Sequence, residues 1–139
     1  MPIIKYDYFP TPLVANKKLI AFYYPIVSIQ LSGNHRIYFQ PIKCVVDSGA
    51  DFNLLPANIG EDLGFNIKKG EKVTHTGIGN ITLVAYKHTV TLYLEGYKFK
   101  TDVHFSYDHK IPILGRDGFF KYFKKVTFNE KELRLELEY

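Results

Sequence analysis

The later part of the chain alternates, and that alternation is the tightest constraint on how it can fold. Val90, Leu92 and Leu94 stand at every second position, and Phe99, Thr101, Val103 and Phe105 resume the pattern after a Glu95-Gly96 turn. Near the end, Leu133, Leu135 and Leu137 alternate with Arg134, Glu136 and Glu138. A period of two sends successive side chains to opposite faces of a strand, so these segments bury one face as strands and cannot do so as helices. Eleven Tyr and eleven Phe residues, with abundant Val, Ile and Thr, favour the same state. The expectation is a mostly β chain.

Residues 19–31 are rich in strand formers, and Pro25 marks an edge or a bulge. Ser32-Gly33-Asn34 turns the chain, and residues 36–46 return as the second strand of a hairpin. Residues 52–56 form a short strand, and 56–63 one or two helical turns stopped by Gly64. Segments 68–76 and 81–86 flank a tip whose Gly77 and Gly79 supply the backbone freedom of a tight hairpin. The clearest helix covers residues 116–122, and a hairpin of 126–128 with 133–138 finishes the chain. Residues 1–18, with Pro2, Pro10 and Pro12, are extended and irregular, either an arm packed on the domain or on a partner, or a frayed tail. The organisation expected is an N-terminal extension over 1–20 and a single domain over 21–139.

With 139 residues, 46% of them hydrophobic, the chain has the material for one well-filled core. The formal charge of +4 is modest and its lysines come in scattered pairs, without the basic groove that a nucleic acid needs. No apolar run reaches membrane-spanning length, and residues 1–12 do not read as a secretory leader. The chain therefore reads as cytoplasmic, with neither a nucleic acid nor a membrane as partner. One cysteine excludes an intrachain disulfide, and Cys44, inside an apolar strand, reads as a small buried hydrophobe. The five histidines lack metal-ligand spacing, so no metal and no cofactor are implied. His75 reads as a plain surface residue.

Against this background Cys44-Val45-Val46-Asp47-Ser48-Gly49-Ala50-Asp51 stands out. A core strand runs straight into a carboxylate, a hydroxyl and a glycine. An ionised Asp at that point has to be paired, protonated or functional, because burying it alone is costly. Far downstream, Ile113-Leu114-Gly115-Arg116-Asp117 is a second unusual cluster, and Thr76-Gly77-Ile78-Gly79-Asn80 lies between the two.

These three features, in this order, resemble the retroviral-type (retropepsin-like) aspartic proteases and their cellular relatives, over roughly residues 21–139. The resemblance implies a small closed β-barrel with one or two short helices. It implies catalysis by Asp47, Ser48 and Gly49, with Asp47 as the reacting carboxylate and Ser48 bridging two such turns. Substrate would be bound by Ala50 and Asp51, and by Thr76, Gly77, Ile78 and Gly79 of a flap at about 73–82. Leu114, Gly115, Arg116 and Asp117 would support the site, with Arg116 paired to Asp51.

One Asp-Ser-Gly in so short a chain further implies a homodimer acting on a peptide or unfolded-protein substrate. Retroviral subunits pair through interleaved terminal strands. Residues 133–139 suit that role, whereas the first twenty have no obvious match. Ala50 cannot donate the hydrogen bond a hydroxyl residue would give the carboxylate, so the pair should titrate higher and work nearer neutral pH. The alternative is a catalytically silent peptide-binding module of the same fold.

Overall fold

The computed structural model describes residues 2–139, apart from the side chain of Ile78. In chain order the elements are β1 (Ile3–Asp7), β2 (Phe9–Ala15), β3 (Lys18–Tyr24), β4 (Ile26–Gly33), β5 (Arg36–Val46), β6 (Leu54–Pro56) and α1 (Ala57–Asp62). They continue as β7 (Glu71–Thr76), β8 (Thr82–Leu94), β9 (Tyr97–Ser106), β10 (Ile113–Leu114), β11 (Lys125–Asn129) and β12 (Arg134–Glu138). The chain is mostly β, as its alternation requires.

Seven strands form one sheet in the order β4-β5-β10-β6-β9-β8-β7. Strand β4 also pairs with β8, Leu31 opposite Leu92, so the sheet curls back on itself and six strands form a hydrogen-bonded circuit. The residues predicted to point inward do so: Val90, Leu92, Leu94, Phe99, Thr101, Val103 and Phe105 are all buried. They pack with Ile29, Leu31, Cys44 and Leu55 into one core. Cys44 is the small buried hydrophobe expected, and burial drives its thiol pKa far upward, which leaves it inert. The 81–86 and 90–94 segments are parts of a single strand, β8, whose first half pairs with β7 and whose second half closes the circuit.

A second sheet sets β12 between β1 and β11, with Leu135 and Leu137 buried beneath it. Both hydrogen-bonding edges of the C-terminal strand are thus occupied by its own chain. The third sheet is the hairpin β2–β3 alone. Pro25 divides the predicted 19–31 strand into β3 and β4, which belong to different sheets. Two-residue turns at Asn16-Lys17 and Asn34-His35 carry the left-handed φ angles (50° and 60°, 46° and 67°) that match strand twist in a hairpin.

One expectation is overturned. Residues 116–122 are a turn that tightens into a 3-10 turn at Phe120–Tyr122, and α1 is the α-helix among the described residues. The carbonyl of Gly118 is taken by the Asn53 Nδ2 amide (2.8 Å) and the Thr101 hydroxyl (2.6 Å), which removes it from a helical ladder. The helical pattern is present, but a distant partner outcompetes it. Helix α1 itself ends as predicted, at Gly64, whose φ of 88° suits glycine. No helix among the described residues is long and apolar enough to cross a membrane.

Candidate active site

The two clusters singled out in the sequence are joined by β10, which slots between the strands on either side of the Asp47 turn. It runs parallel to β5, Leu114 opposite Val46, and antiparallel to β6, Ile113 opposite Leu54. The Asp47 amide donates to the Leu114 carbonyl (3.0 Å), the Arg116 amide to that of Ala50 (2.8 Å) and the Asp117 amide to that of Asp51 (2.7 Å). The loops at 47–51 and 114–117 therefore lock together backbone to backbone. Gly115 makes this possible. A Cβ there would lie 2.4 Å from the Phe52 carbonyl oxygen and 2.8 Å from that of Ala50, and neither backbone atom can step aside.

Asn53, fully buried, is the second lock, and nothing in the sequence pattern marks it. Its Nδ2 donates to the carbonyls of Gly118 (2.8 Å) and Asp102 (3.2 Å), while its Oδ1 accepts from the Gly115 amide (3.1 Å). One side chain thus satisfies three groups from two distant segments, and a buried amide left without such partners would be costly.

Within this frame Asp47 is half-buried at the end of β5 and Ser48 and Gly49 are exposed. The Asp47 Oδ1 accepts from the Gly49 amide at 2.8 Å, and the Ala50 amide donates to the Asp47 carbonyl at 3.2 Å. The turn holds the carboxylate at the surface of the core and needs no basic side chain. A cleft of about 410 Å³ opens beside it, lined by Gly49, Ala50, Asp51 and Phe52 on one wall and by His75, Thr76 and Gly77 on the other. This cleft brings the predicted residues Gly49, Ala50 and Asp51 to face Thr76 and Gly77. Gly79, at the hairpin tip, projects with nothing within 4 Å of where its Cβ would be, and its φ of 81° suits glycine. The role expected of the Ile78 side chain lies outside the described residues.

The Asp51–Arg116 ion pair expected from the resemblance does not form among the described residues. Both side chains are exposed, and the contact between their loops is made by backbone; Asp117 instead pairs with Lys121 at 3.4 Å. Asp51, Phe52, Arg116 and Phe120 line a separate open cleft of about 620 Å³.

His75 is not a plain surface residue. Its Nε2 meets His104 Nδ1 at 2.8 Å, so one ring donates and the other accepts. Phe52 stacks on His104 with centroids 4.6 Å apart. Burial, then the neighbouring His75 and Lys87, push the His104 pKa down to about 4; burial also lowers that of His75. The pair ties the tip end of β7 to β9. Parity is the sequence signal that bears on His104: it sits on the face opposite Val103 and Phe105, yet is itself buried where Phe52 stacks on it and His75 meets it.

No family model matches the chain, and no curated protein matches it. Among solved structures, the protease of EIAV in complex with the inhibitor HBY-793 is 26% identical, with a TM-score of 0.49 over 68% of this chain and 83% of that one. A retropepsin-like aspartic protease from Rickettsia conorii superposes with a TM-score of 0.66 at 20% identity, covering 99% of this chain and 92% of that one. This end-to-end superposition shows that the chain has the fold of the retropepsin-like aspartic proteases.

Proposed function

We propose that the protein is an aspartic endopeptidase working as a homodimer, with Asp47 of each copy supplying one of two carboxylates. The observation that carries this reading is the Asp47-Ser48-Gly49 turn, a carboxylate whose Oδ1 accepts from the amide of Gly49, itself in the wall of an open cleft. Its placement at the end of a core strand has a chemical use and no packing use.

A two-fold dimer brings identical residues together on its axis. Two carboxylates about 3 Å apart cannot both ionise cheaply, so the pair holds one proton between them. The ionised member takes a proton from the attacking water while the protonated member hydrogen-bonds the peptide carbonyl oxygen. Collapse of the tetrahedral intermediate breaks the C–N bond, and the dyad returns a proton to the departing amine. Water is the only co-reactant needed.

In this reading the Ser48 hydroxyls brace the two turns against each other, and Gly49 allows substrate to approach closely. Leu114, Gly115, Arg116 and Asp117 hold the turn from behind. Thr76, Gly77, Ile78 and Gly79 act as a flap over an extended peptide, which lies against Ala50 and Asp51 as an added strand. Ala50 leaves the carboxylate without a hydroxyl donor, and the pH optimum of cleavage should lie nearer neutral.

Cleavage of casein by wild type and Asp47→Asn, between pH 4 and 7, tests the reading. Wild type should cut, with its optimum above about pH 3.5, and Asp47→Asn should lose at least about 100-fold while still folding. A folded, dimeric wild type that cuts nothing would sink the hydrolase and leave the peptide-binding module.

A further inference from the structure

The hairpin β2–β3 pairs with no other strand, and a two-stranded hairpin is marginal in water by itself. Its register puts Phe9, Leu13, Ile20, Phe22 and Tyr24 on one face and Val14, Leu19 and Tyr23 on the other. Both faces are apolar, all eight side chains are exposed, and Val14 and Leu19 are 70% and 75% so. Between Phe9 and Tyr24 the only charges are Lys17 and Lys18, at the turn. With aromatic side chains burying 150–250 Å² each, the eight leave on the order of 700 Å² to be covered, about one partner's share of a standard interface.

The root of the hairpin locates its occupant. Tyr23, Tyr24 and Pro25 line a cavity of about 510 Å³ together with Asp47 and Ser48. The Val46 amide donates to the Pro25 carbonyl (2.9 Å), and Lys43 caps the Phe9 ring at 4.2 Å. If Asp47 meets its counterpart on a two-fold axis, that axis passes beside this cavity and so beside the root of each hairpin. The C-terminal strand offers no free edge, because β12 is already hydrogen-bonded on both edges within its own chain. Pro10 and Pro12, in register within β2, direct their donor-less nitrogens away from β3, so the outer edge of β2 is poor for strand addition and the faces are left for contact.

We infer that the β2–β3 hairpin is the dimerisation arm of this protein, packing reciprocally against the same hairpin of a second copy beside Asp47. The inference rests on the dimeric reading of the site. Side-chain packing across an isologous contact replaces the interleaved termini.

Sedimentation velocity on the full chain from 1 to 100 µM tests it, for wild type, Val14→Glu/Leu19→Glu and Asp47→Asn. Wild type and Asp47→Asn should dimerise; the double variant should keep its circular dichroism and weaken association at least about 30-fold, as expected for losing interface anchors. Hydrogen exchange of wild type supplies a readout without substitutions: amides of 9–24 should gain protection with concentration. A double variant that dimerises as wild type does, hairpin amides indifferent to concentration, or a wild type still monomeric at 100 µM would each overturn the inference. If the double variant loses the dimer but wild type never shows Asp47-dependent cleavage, the arm stands and the protease reading falls. If the double variant dimerises as wild type does and still cuts casein, the protease reading stands and the arm falls.

Discussion

The floor of the cleft and the hairpin above it are built from the same kinds of residue and held in opposite ways. In the floor, Gly115 is pressed against two backbone carbonyls and Asn53 satisfies three backbone groups of two segments at once. In the hairpin tip, Gly79 has open space on every side, and beyond the β7–β8 ladder the closing bond runs from the Gly77 amide to the Ile81 carbonyl (2.8 Å). Glycine in the floor is there for closeness; glycine at the tip is there for its φ angle. On the proposed reading the contrast has a use: the carboxylate needs a fixed position, whereas a cover over a peptide needs low-cost opening.

The sharpest way to break the contrast is Gly115→Ala. The added methyl meets backbone that cannot yield, and the loss should be about 3 kcal/mol or more, seen as failure to fold or a collapse in denaturant midpoint. Asn53→Ala comes next. It strands the Gly115 amide and removes a donor from two carbonyls, at a cost of roughly 2–3 kcal/mol in urea unfolding. Equal stability for Asn53→Ala and wild type would remove Asn53 as a lock.

The His75–His104 contact, which ties one region to the other, gives a pH signature. His104 takes its proton only near pH 4 when folded but near 6.5 when unfolded, so the unfolded chain binds more protons between those values. Stability should therefore fall as pH is lowered from about 6.5 to 4 and level off below. His104→Asn should flatten that slope, and a wild-type urea midpoint constant over this window would refute the assignment. The smallest effect is expected at the tip. Gly79→Ala asks an L-residue to adopt φ of 81°, at about 1 kcal/mol of local strain, with little change in the global midpoint but slower substrate turnover.

How legible all this is in the sequence depends on the range of each interaction. The inward set of β8 and β9 follows from parity, because alternation is a local property. Asp47 announces itself because a carboxylate at the end of an apolar strand conflicts with its surroundings. The turn at 116–119 reads as helix because the group that unmakes the helix, Asn53, lies 65 residues from Gly118. His104 is hidden for a related reason: Phe52 and His75, arriving from elsewhere in the chain, bury a face that the strand's own pattern labels polar. Pro25 reads as a local irregularity, and its actual role as a hand-over between sheets is a matter of topology.

The insertion of β10 between β5 and β6 also sets a clock. The Asp47 turn is made early in the chain, but the residues that close around it stand more than 60 positions later. Loop closure over such a span is slow compared with the hairpins on either side. During synthesis, a chain that has not yet released residue 118 from the ribosome has a carboxylate and no site. On the proposed reading, competence thus waits for residues 113–118, a built-in delay between making the carboxylate and assembling the place where it would act.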